Sequence, residues 1–371
     1  MRKADDLRYM AWALKLARRG MYTTDPNPRV GCVVVKDGAV VGEGWHRRAG
    51  EPHAEINALQ AAGSSAAGAG VYVTLEPCRH QGRTGPCTLA LIEAGVGRVV
   101  AAIRDPNPAV AGGGLDELRS AGIEVSEGIL AGEAAALNPG FISRMSRGRP
   151  YVRLKLAMTL DGRTALASGE ARWITGPEAR MDVQRLRASS SAILTGVGSV
   201  LSDDPRLDVR HDFGDGGEIR QPLRVVVDSR LRTPSSVQLL RITGPVLIAT
   251  LEEHATAGTP LEDTGAEVVG LPPANGRVDL QALLTHLASR GVNEVHAECG
   301  PTLAGAMIGA NLVDELVVYV APALLGADAM PLAFLQTIAD MKHRVELRFE
   351  DMRAVGRDIR LTARLLAKPV D

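Results

Sequence analysis

Apolar and polar positions along this chain follow two periods, and the switches between them outline its elements. Leu7, Met10, Leu14 and Ala17 recur at helical spacing and predict an amphipathic helix at the start. Residues 30–45, VGCVVVKDGAVVGEGW, read as two strands joined by an Asp37-Gly38 turn, a strong hairpin signal. A helix is predicted from about 53 to 62, a buried strand over 70–75, a helix over 86–94 and a strand over 96–103. The Pro/Gly-rich DPNPAVAGGG (105–114) predicts a loop, after which a helix and a strand run to about 125. Strands alternating with helices imply a sheet covered by helices on both faces.

The polar, basic SRGRP (146–150) sets the expected domain boundary: residues 1–146 and 147–371. Beyond it, strands are predicted over 151–158, 222–229, 244–250 and 292–297, with a turn at Asp161-Gly162 and a helix over 177–187. SAILTGVGSVL (191–201) reads as a strand entering a glycine turn, and ECGPTLAGAMIGANL (298–312) as a glycine turn opening a helix. The end, from Val313 on, is strand-rich. The acidic, glycine-rich stretch 212–221 predicts a mobile surface loop. This half is again α/β.

Length supports the division, because 371 residues exceed what one core usually supports. A net charge of −1 leaves no electrostatic footprint for nucleic acid or an anionic membrane, so a small-molecule substrate is expected. Asp5 and Asp6 inside the first helix argue against a signal peptide, and no apolar run is long enough to span a bilayer; a cytoplasmic protein is expected. Four cysteines, Cys32, Cys78, Cys87 and Cys299, do not make a disulfide framework in a chain this long. Cys32 and Cys299 read as small packing residues.

The other two cysteines carry chemistry. His53-Ala54-Glu55 opens a predicted helix, Glu76-Pro77-Cys78 follows a buried strand, and Cys87 opens the next helix. One imidazole and two thiolates leave a fourth tetrahedral position for water, the pattern of a catalytic rather than structural zinc site. Glu55, beside but not in the ligand set, suits the proton transfers of hydrolytic deamination. His-x-Glu, Pro-Cys and Cys in this order match the zinc deaminase signature. The bland alternative is a core histidine with two buried thiols. Eight residues separate Cys78 from Cys87, where cytidine and tRNA adenosine deaminases usually have two.

With TLEPCRHQGRTGPC, TTDPNPRVGCVVV (23–35) and DPNPAVAGGG, the first half resembles the deaminase half of the bifunctional riboflavin-biosynthesis deaminase/reductases. Gly85 and Arg79 depart from the usual proline and serine of that family. LKLAMTLDGRTA (154–165), SGEARWITG (168–176), Arg187 with AILTG, SDDPRLDVR (202–210) and ECGPTLAGA (298–306) resemble its reductase half. The resemblance implies a cytidine-deaminase-like three-layer α/β/α domain followed by a dihydrofolate-reductase-like α/β domain. It implies zinc in the first, NADPH in the second, and a homo-oligomer. It places Asn27, Glu76 and His80 beside the pyrimidine or its phosphoribosyl arm. Asn27 reads equally as a turn residue between two prolines, and His80 as an exposed loop histidine.

In the second half the resemblance places the nicotinamide cofactor along Ala157, Trp173, Thr175, Ser199, Asp203, Ser229, Gly300, Pro301, Thr302, Leu303, Ala304, Gly305 and Ala306. It places the substrate near Ala171, Arg187, Leu207, Arg210 and Glu298. Helix-opening glycine turns suit a dinucleotide phosphate, although no Gly-x-Gly-x-x-Gly fingerprint is present. Arg187 and Arg210 suit a substrate phosphate, or are solvated arginines. Position 171 is often serine in relatives, so Ala171 leaves only a backbone contact there. Lys155 and Asp161 are expected to line the ribose region, and Arg230 and Arg232 to meet the cofactor 2′-phosphate. The rival readings are a nucleoside or nucleic-acid deaminase with an unrelated second domain, and a decayed pair serving as a binding protein. The long Cys78–Cys87 loop and the absent basic excess disfavour the first; intact His53, Glu55, Cys78 and Cys87 disfavour the second.

Overall fold

A computed structural model describes residues 2–79, 85–108, 111–214, 219–255 and 260–366. The chain divides into two compact units between Arg149 and Pro150. The break lies beyond the expected 146/147 because Ser146 and Arg147 extend a helix, which Gly148 ends in the left-handed conformation at φ 65°.

The first unit holds strands β1 (Gly31–Lys36), β2 (Ala39–Trp45), β3 (Gly70–Val73), β4 (Arg98–Ala101) and β5 (Glu124–Glu127). Its helices are α1 (Arg2–Ala17), α2 (Ala54–Ala62), α3 (Cys87–Glu93), α4 (Gly113–Ser120), α5 (Ala131–Leu137) and α6 (Pro139–Arg147). The sheet order is β2-β1-β3-β4-β5. β1 runs antiparallel to β2 and β3, and β3, β4 and β5 are parallel. Asp37 and Gly38, both at positive φ, make the hairpin turn between β1 and β2.

Alternation along β1 divides the core in two. Cys32 and Val34 face Ala54 and Ala58 of α2, Leu91 of α3 and Leu115 and Leu118 of α4. Val33 and Val35 face Met10, Ala13 and Ala17 of α1 and Leu137 of α5. Each of these larger apolar side chains contributes roughly 1.5–3 kcal/mol by leaving water. The result is three layers, with helices on both faces. α5 and α6 have no counterpart in the sequence reading; each is short and flanked by turns, so its periodicity is thin.

Two glycines of β2 set the position of α2. A Cβ on Gly42 would lie 2.2 Å from the Ala58 carbonyl oxygen, and one on Gly44 2.2 Å from that of Ala54. The helix backbone therefore rests directly on the strand, as only glycine permits.

The second unit holds β6 (Tyr151–Thr159), β7 (Arg163–Ala165), β8 (Ala192–Gly196), β9 (Leu223–Val227), β10 (Val246–Leu251), β11 (Glu267–Leu271), β12 (Pro273–Ala274), β13 (Arg277–Val278), β14 (Glu294–Glu298), β15 (Glu315–Ala321), β16 (Met330–Pro331), β17 (Leu347–Val355) and β18 (Asp358–Leu365). Its helices are α7 (Pro177–Ala188), α8 (Val197–Asp203), α9 (Gln238–Arg241), α10 (Leu280–Ser289) and α11 (Pro301–Gly309). Nine strands form one sheet, ordered β11-β10-β9-β8-β14-β6-β15-β18-β17. The first seven are parallel; β18 pairs antiparallel with β15, and β17 with β18. α10 and α11 pack on one face, through Leu283, Leu287, Ala304 and Met307. α8 and α9 cover the other through Val200 and Leu239, with α7 beside them through Ala179 and Val183.

Two expectations need correction. The strand of 191–201 ends at Gly196 as expected, but the glycine turn after it is the start of a helix, α8, from Val197. The loop expected over 105–114 ends two residues early, because Gly113 and Gly114 are in the first turn of α4. Within the expected mobile stretch 212–221, residues 215–218 lie outside the described residues. Among the described residues no helix is long and apolar enough to cross a membrane.

Candidate active sites

The metal-type centre of the first unit is built from element ends. His53 caps α2 from an extended conformation, φ −69° and ψ 166°. Cys87 is the first residue of α3, and Cys78 follows β3. His53 Nδ1 lies 3.5 Å from Cys78 Sγ and 3.3 Å from Cys87 Sγ. All three donor atoms fall within 4.8 Å of one another. Tetrahedral zinc, with Zn–N about 2.0 Å and Zn–S about 2.3 Å, requires a nitrogen–sulfur separation of about 3.5 Å. The donor set and its spacing fit that ion.

Glu55 lies one residue inside α2 and is 3% exposed. Burial pushes its carboxyl up to about 7. The neighbouring thiols share one contact with opposite effects. The hydrogen bond from Cys87 holds Cys78 down at about 4, and the same contact, with burial, pushes Cys87 up. A dication among the three donors would favour thiolate at both.

His46 belongs to this site, and sequence reasoning missed it. It is 3% exposed, and its ring meets that of His53 edge-on at 5.3 Å. Asn27 Nδ2 donates to His46 Nε2 at 3.0 Å, while His46 Nδ1 donates to the Pro52 carbonyl at 3.2 Å. Those partners fix a neutral tautomer, and burial lowers the ring's pKa. The signal was available: Gly42, Gly44 and His46 share one face of the β2 strand by alternation, and α2 covers that face. Asn27 therefore reaches the centre through His46.

Glu76 faces elsewhere. Its Oε2 accepts from the amides of Asp105 and Gly112, and its Oε1 from those of Gly114 and Leu115, all at 2.9–3.1 Å. Four backbone donors engage both oxygens, so Glu76 organises the loop before α4 and its carboxylate offers little to a pyrimidine. His80 lies outside the described residues.

In the second unit, two helix-opening turns sit at the carboxyl ends of the neighbouring strands β8 and β14. A Cβ on Gly300 would lie 3.8 Å from Ser199 Oγ, and one on Gly196 3.2 Å from Leu303 Cδ2. Ser199 and the Gly300–Leu303 turn are thus brought together, with Pro301, Thr302, Ala304 and Ala306 following in α11. Gly305 faces the other way: its Cβ would meet the Phe334 carbonyl oxygen at 2.0 Å, a packing reason for glycine. Arg172 donates to the Asp203 carbonyl, which brings the segment carrying Ala171, Trp173 and Thr175 to the end of α8. Trp173 is 70% exposed. Ala157 lies on β6, beside Tyr319 of β15. Ser229 Oγ accepts from the Val278 amide at 3.0 Å, and Arg230 and Arg232 beside it are exposed.

A charged cluster lies at the same end. Glu298 closes β14 opposite Lys155 of β6. Arg187 grips it bidentately, Nε to Oε1 at 2.5 Å and Nη2 to Oε2 at 3.0 Å, and its Nη1 donates to the Asp208 carbonyl at 3.1 Å. Arg187 holds Glu298 well below the usual carboxylate range against the opposing effect of burial. Burial lowers the pKa of Lys155, whose ammonium lies 5.8 Å from the Tyr319 ring centroid. Leu207 is buried with φ 52°, and the Arg210 amide is held by Gln184 at 2.9 Å while its guanidinium is exposed. Arg187 is therefore committed to Glu298, while the Arg210 guanidinium, 3.8 Å from Asp208 Oδ1, is exposed and accessible to a phosphate. Asp161 serves its own turn: it accepts from Thr159 Oγ1 and from the Leu325 and Gly326 amides.

Comparison with known proteins covers both units. The cytidine and deoxycytidylate deaminase zinc-binding region matches residues 3–103, and the RibD C-terminal domain matches residues 150–361. The riboflavin biosynthesis protein RibD of Escherichia coli K12 is 50% identical over 359 residues, 95% of this chain and 97% of that one. That of Haemophilus influenzae is 47% identical over 367 residues, 97% of each. The solved Acinetobacter baumannii RibD, form 1, matches with TM-score 0.92 and 43% identity, over 98% of this chain and 100% of that one. A diaminohydroxyphosphoribosylaminopyrimidine deaminase/5-amino-6-(5-phosphoribosylamino)uracil reductase from Thermotoga maritima matches with TM-score 0.87 and 30% identity, over 99% and 100%. Matched end to end on both of its units, this chain belongs to the RibD family of riboflavin-biosynthesis proteins.

Proposed function

We propose that the chain carries out two consecutive steps of riboflavin synthesis. The first unit hydrolytically deaminates 2,5-diamino-6-(5-phosphoribosylamino)pyrimidin-4-one. The second reduces the ribosyl side chain with NADPH, giving 5-amino-6-(5-phosphoribitylamino)uracil. The observation that carries this reading is the three-donor centre with a buried carboxyl beside it.

His53, Cys78 and Cys87 would hold zinc, which when bound lowers the pKa of a coordinated water to about 7. Glu55 takes one proton of the attacking water on a carboxylate oxygen and gives it to the ring nitrogen, then takes the second from the added hydroxyl and gives it to the amine, which departs as ammonia. A carboxyl near 7 serves both directions. His46, neutral and fixed at both nitrogens, holds the His53 ring edge and aligns Asn27.

In the second unit NADPH supplies the hydride. Ser199, Asp203, Ser229 and the 300–306 turn hold the cofactor, with Ala157, Trp173 and Thr175 at the nicotinamide end. Lys155 and Glu298 offer a donor and an acceptor to the sugar, and Arg187 keeps Glu298 in place. Arg210 meets the phosphate, and Arg230 and Arg232 select the 2′-phosphate of NADPH. Asn27 and His80 border the pyrimidine.

The deaminase is the unit that ends at Arg149, a little beyond the expected 146/147 boundary, the reductase is the unit that follows, and the enzyme works in the cytoplasm on a small molecule. It forms a homo-oligomer. The edge strand β17 is exposed along its length, with Phe349 61% and Met352 65% exposed, a face suited to a second copy. The test supplies the diaminopyrimidine phosphoribosyl substrate with NADPH and follows ammonia release and NADPH oxidation separately. Glu55→Ala should lose both signals, and the deaminated intermediate should restore the second. Ammonia release by Glu55→Ala at the wild-type rate would refute the reading.

A further inference from the structure

We propose that the tip of the β17–β18 hairpin locks residues 173–176, and that Asp358 is a positioning residue that sets cofactor affinity from outside the cofactor site. The proposal rests on the reading of the second unit as an NADPH-dependent reductase.

Three successive backbone groups of this segment are each held by a side chain. Arg357 Nη2 donates to the Ile174 carbonyl at 3.3 Å. Arg180 of α7 donates to the Thr175 carbonyl at 2.7 Å, and its guanidinium lies 4.6 Å from the Trp173 ring centroid. The Gly176 amide donates to Asp358 Oδ2 at 2.7 Å. Two of the three holds come from the hairpin tip, more than 180 residues along the chain.

Asp358 is not needed to close its own hairpin, because Val355 pairs with Asp358 through the backbone ladder. Its carboxylate is 1% exposed, and its Oδ1 has no hydrogen-bond partner among the described residues. A buried carboxylate with an unmade hydrogen bond is costly; Oδ1 has only the Arg357 Nε at 3.8 Å, and the hydrogen bond the carboxylate makes is the one to the segment. The tip is also pressed close: a Cβ on Gly356, φ 62°, would lie 2.4 Å from Glu178 Oε2 in the first turn of α7. At its other end the segment is tied through Arg172 to the Asp203 carbonyl at the end of α8. The segment is thus fixed at both ends before the cofactor arrives. Ordering it at binding would otherwise weaken affinity, since fixing each residue's backbone costs conformational entropy.

The test uses the full-length, zinc-loaded protein, with NADPH and the deaminated intermediate. Asp358→Asn and Arg357→Ala should each raise the NADPH KM about tenfold, with kcat within about twofold of wild type. Ammonia release should be unchanged. Trp173 is the only tryptophan of the second unit, so acrylamide should quench tryptophan fluorescence more strongly in both variants. Arg357 is exposed, so its variant carries the test if Asp358→Asn does not fold. Wild-type KM and quenching in Arg357→Ala and in a folded Asp358→Asn would overturn the lock. So would equal losses of kcat and of cofactor affinity with a lowered unfolding temperature. Absence of NADPH oxidation by the wild type in the same series would instead refute the reductase reading.

Discussion

Gly44→Ala tests whether the strand beneath α2 sets the chemistry above it. The added Cβ would lie 2.2 Å from the Ala54 carbonyl oxygen and 2.5 Å from the Ala58 amide nitrogen, where ordinary contact begins at 3.4 Å. Both obstacles are helix backbone, so neither can rotate aside. α2 must lift by about 1 Å, and it carries His53 at its cap and Glu55 in its first turn. Overpacking of this kind costs about 1–3 kcal/mol. For a domain of this size that lowers the unfolding temperature by about 2–4 °C per kcal/mol. A misplacement of about 1 Å reduces turnover by about 100-fold. The assay compares ammonia release with NADPH oxidation on the deaminated intermediate, in zinc-saturated protein. Deamination should fall about 100-fold while reduction stays at the wild-type rate. A variant that deaminates within about twofold of wild type would refute the claim that this contact places the acid/base.

Glu55→Gln keeps the volume but cannot carry the proton, so deamination should drop about 10²–10⁴-fold, with zinc content by atomic absorption unchanged. Chelation should abolish ammonia release and leave reduction of the intermediate intact, as coupled assays would show. Glu76→Ala strands four loop amides and should destabilise the first unit by about 3–5 kcal/mol, read by denaturant unfolding; a merely raised KM with full stability would count against it. His296 is 0% exposed and burial lowers its pKa below 6.5 despite Glu298 at 3.3 Å. The unfolded chain then binds the extra proton, so this contribution is complete above about pH 6.5 and is lost as pH falls toward the folded pKa. His296→Gln should flatten that acid limb in unfolding experiments on the second unit. Arg230→Ala with Arg232→Ala should raise the KM for NADPH and leave that for NADH unchanged in steady-state kinetics.

Much of this molecule was legible because its signals are local. The Asp37-Gly38 hairpin, the helix opened by His53 and the glycine turn at Gly300 each depend on neighbouring residues alone. The metal-type triad was readable because donor chemistry is written in residue type. What stayed hidden depends on distant partners. Glu76 precedes Cys78 by two residues and invites a catalytic reading, yet amides 29 to 39 residues further along engage it. Arg187 looked like a free phosphate ligand until Glu298, 111 residues away, closed on it. His46 sat in plain view at the end of a glycine-marked strand, but its importance lies in what α2 brings above it. The glycine turn read after Gly196 hid a helix, because Gly198 and Ser199 are turn residues and only the packing of Val197 and Val200 on the sheet marks α8.

The Glu76 arrangement has a consequence for how such sites diversify. Cys78 is pinned from upstream by a carboxylate that four amides hold, and Cys87 is pinned from downstream by α3, whose Leu91 is fully buried. Each donor thus has an anchor outside the interval between them. Anchors of that kind let the interval between metal-binding residues differ in length, eight here against the two usual in cytidine and tRNA adenosine deaminases, while the donor chemistry is inherited unchanged.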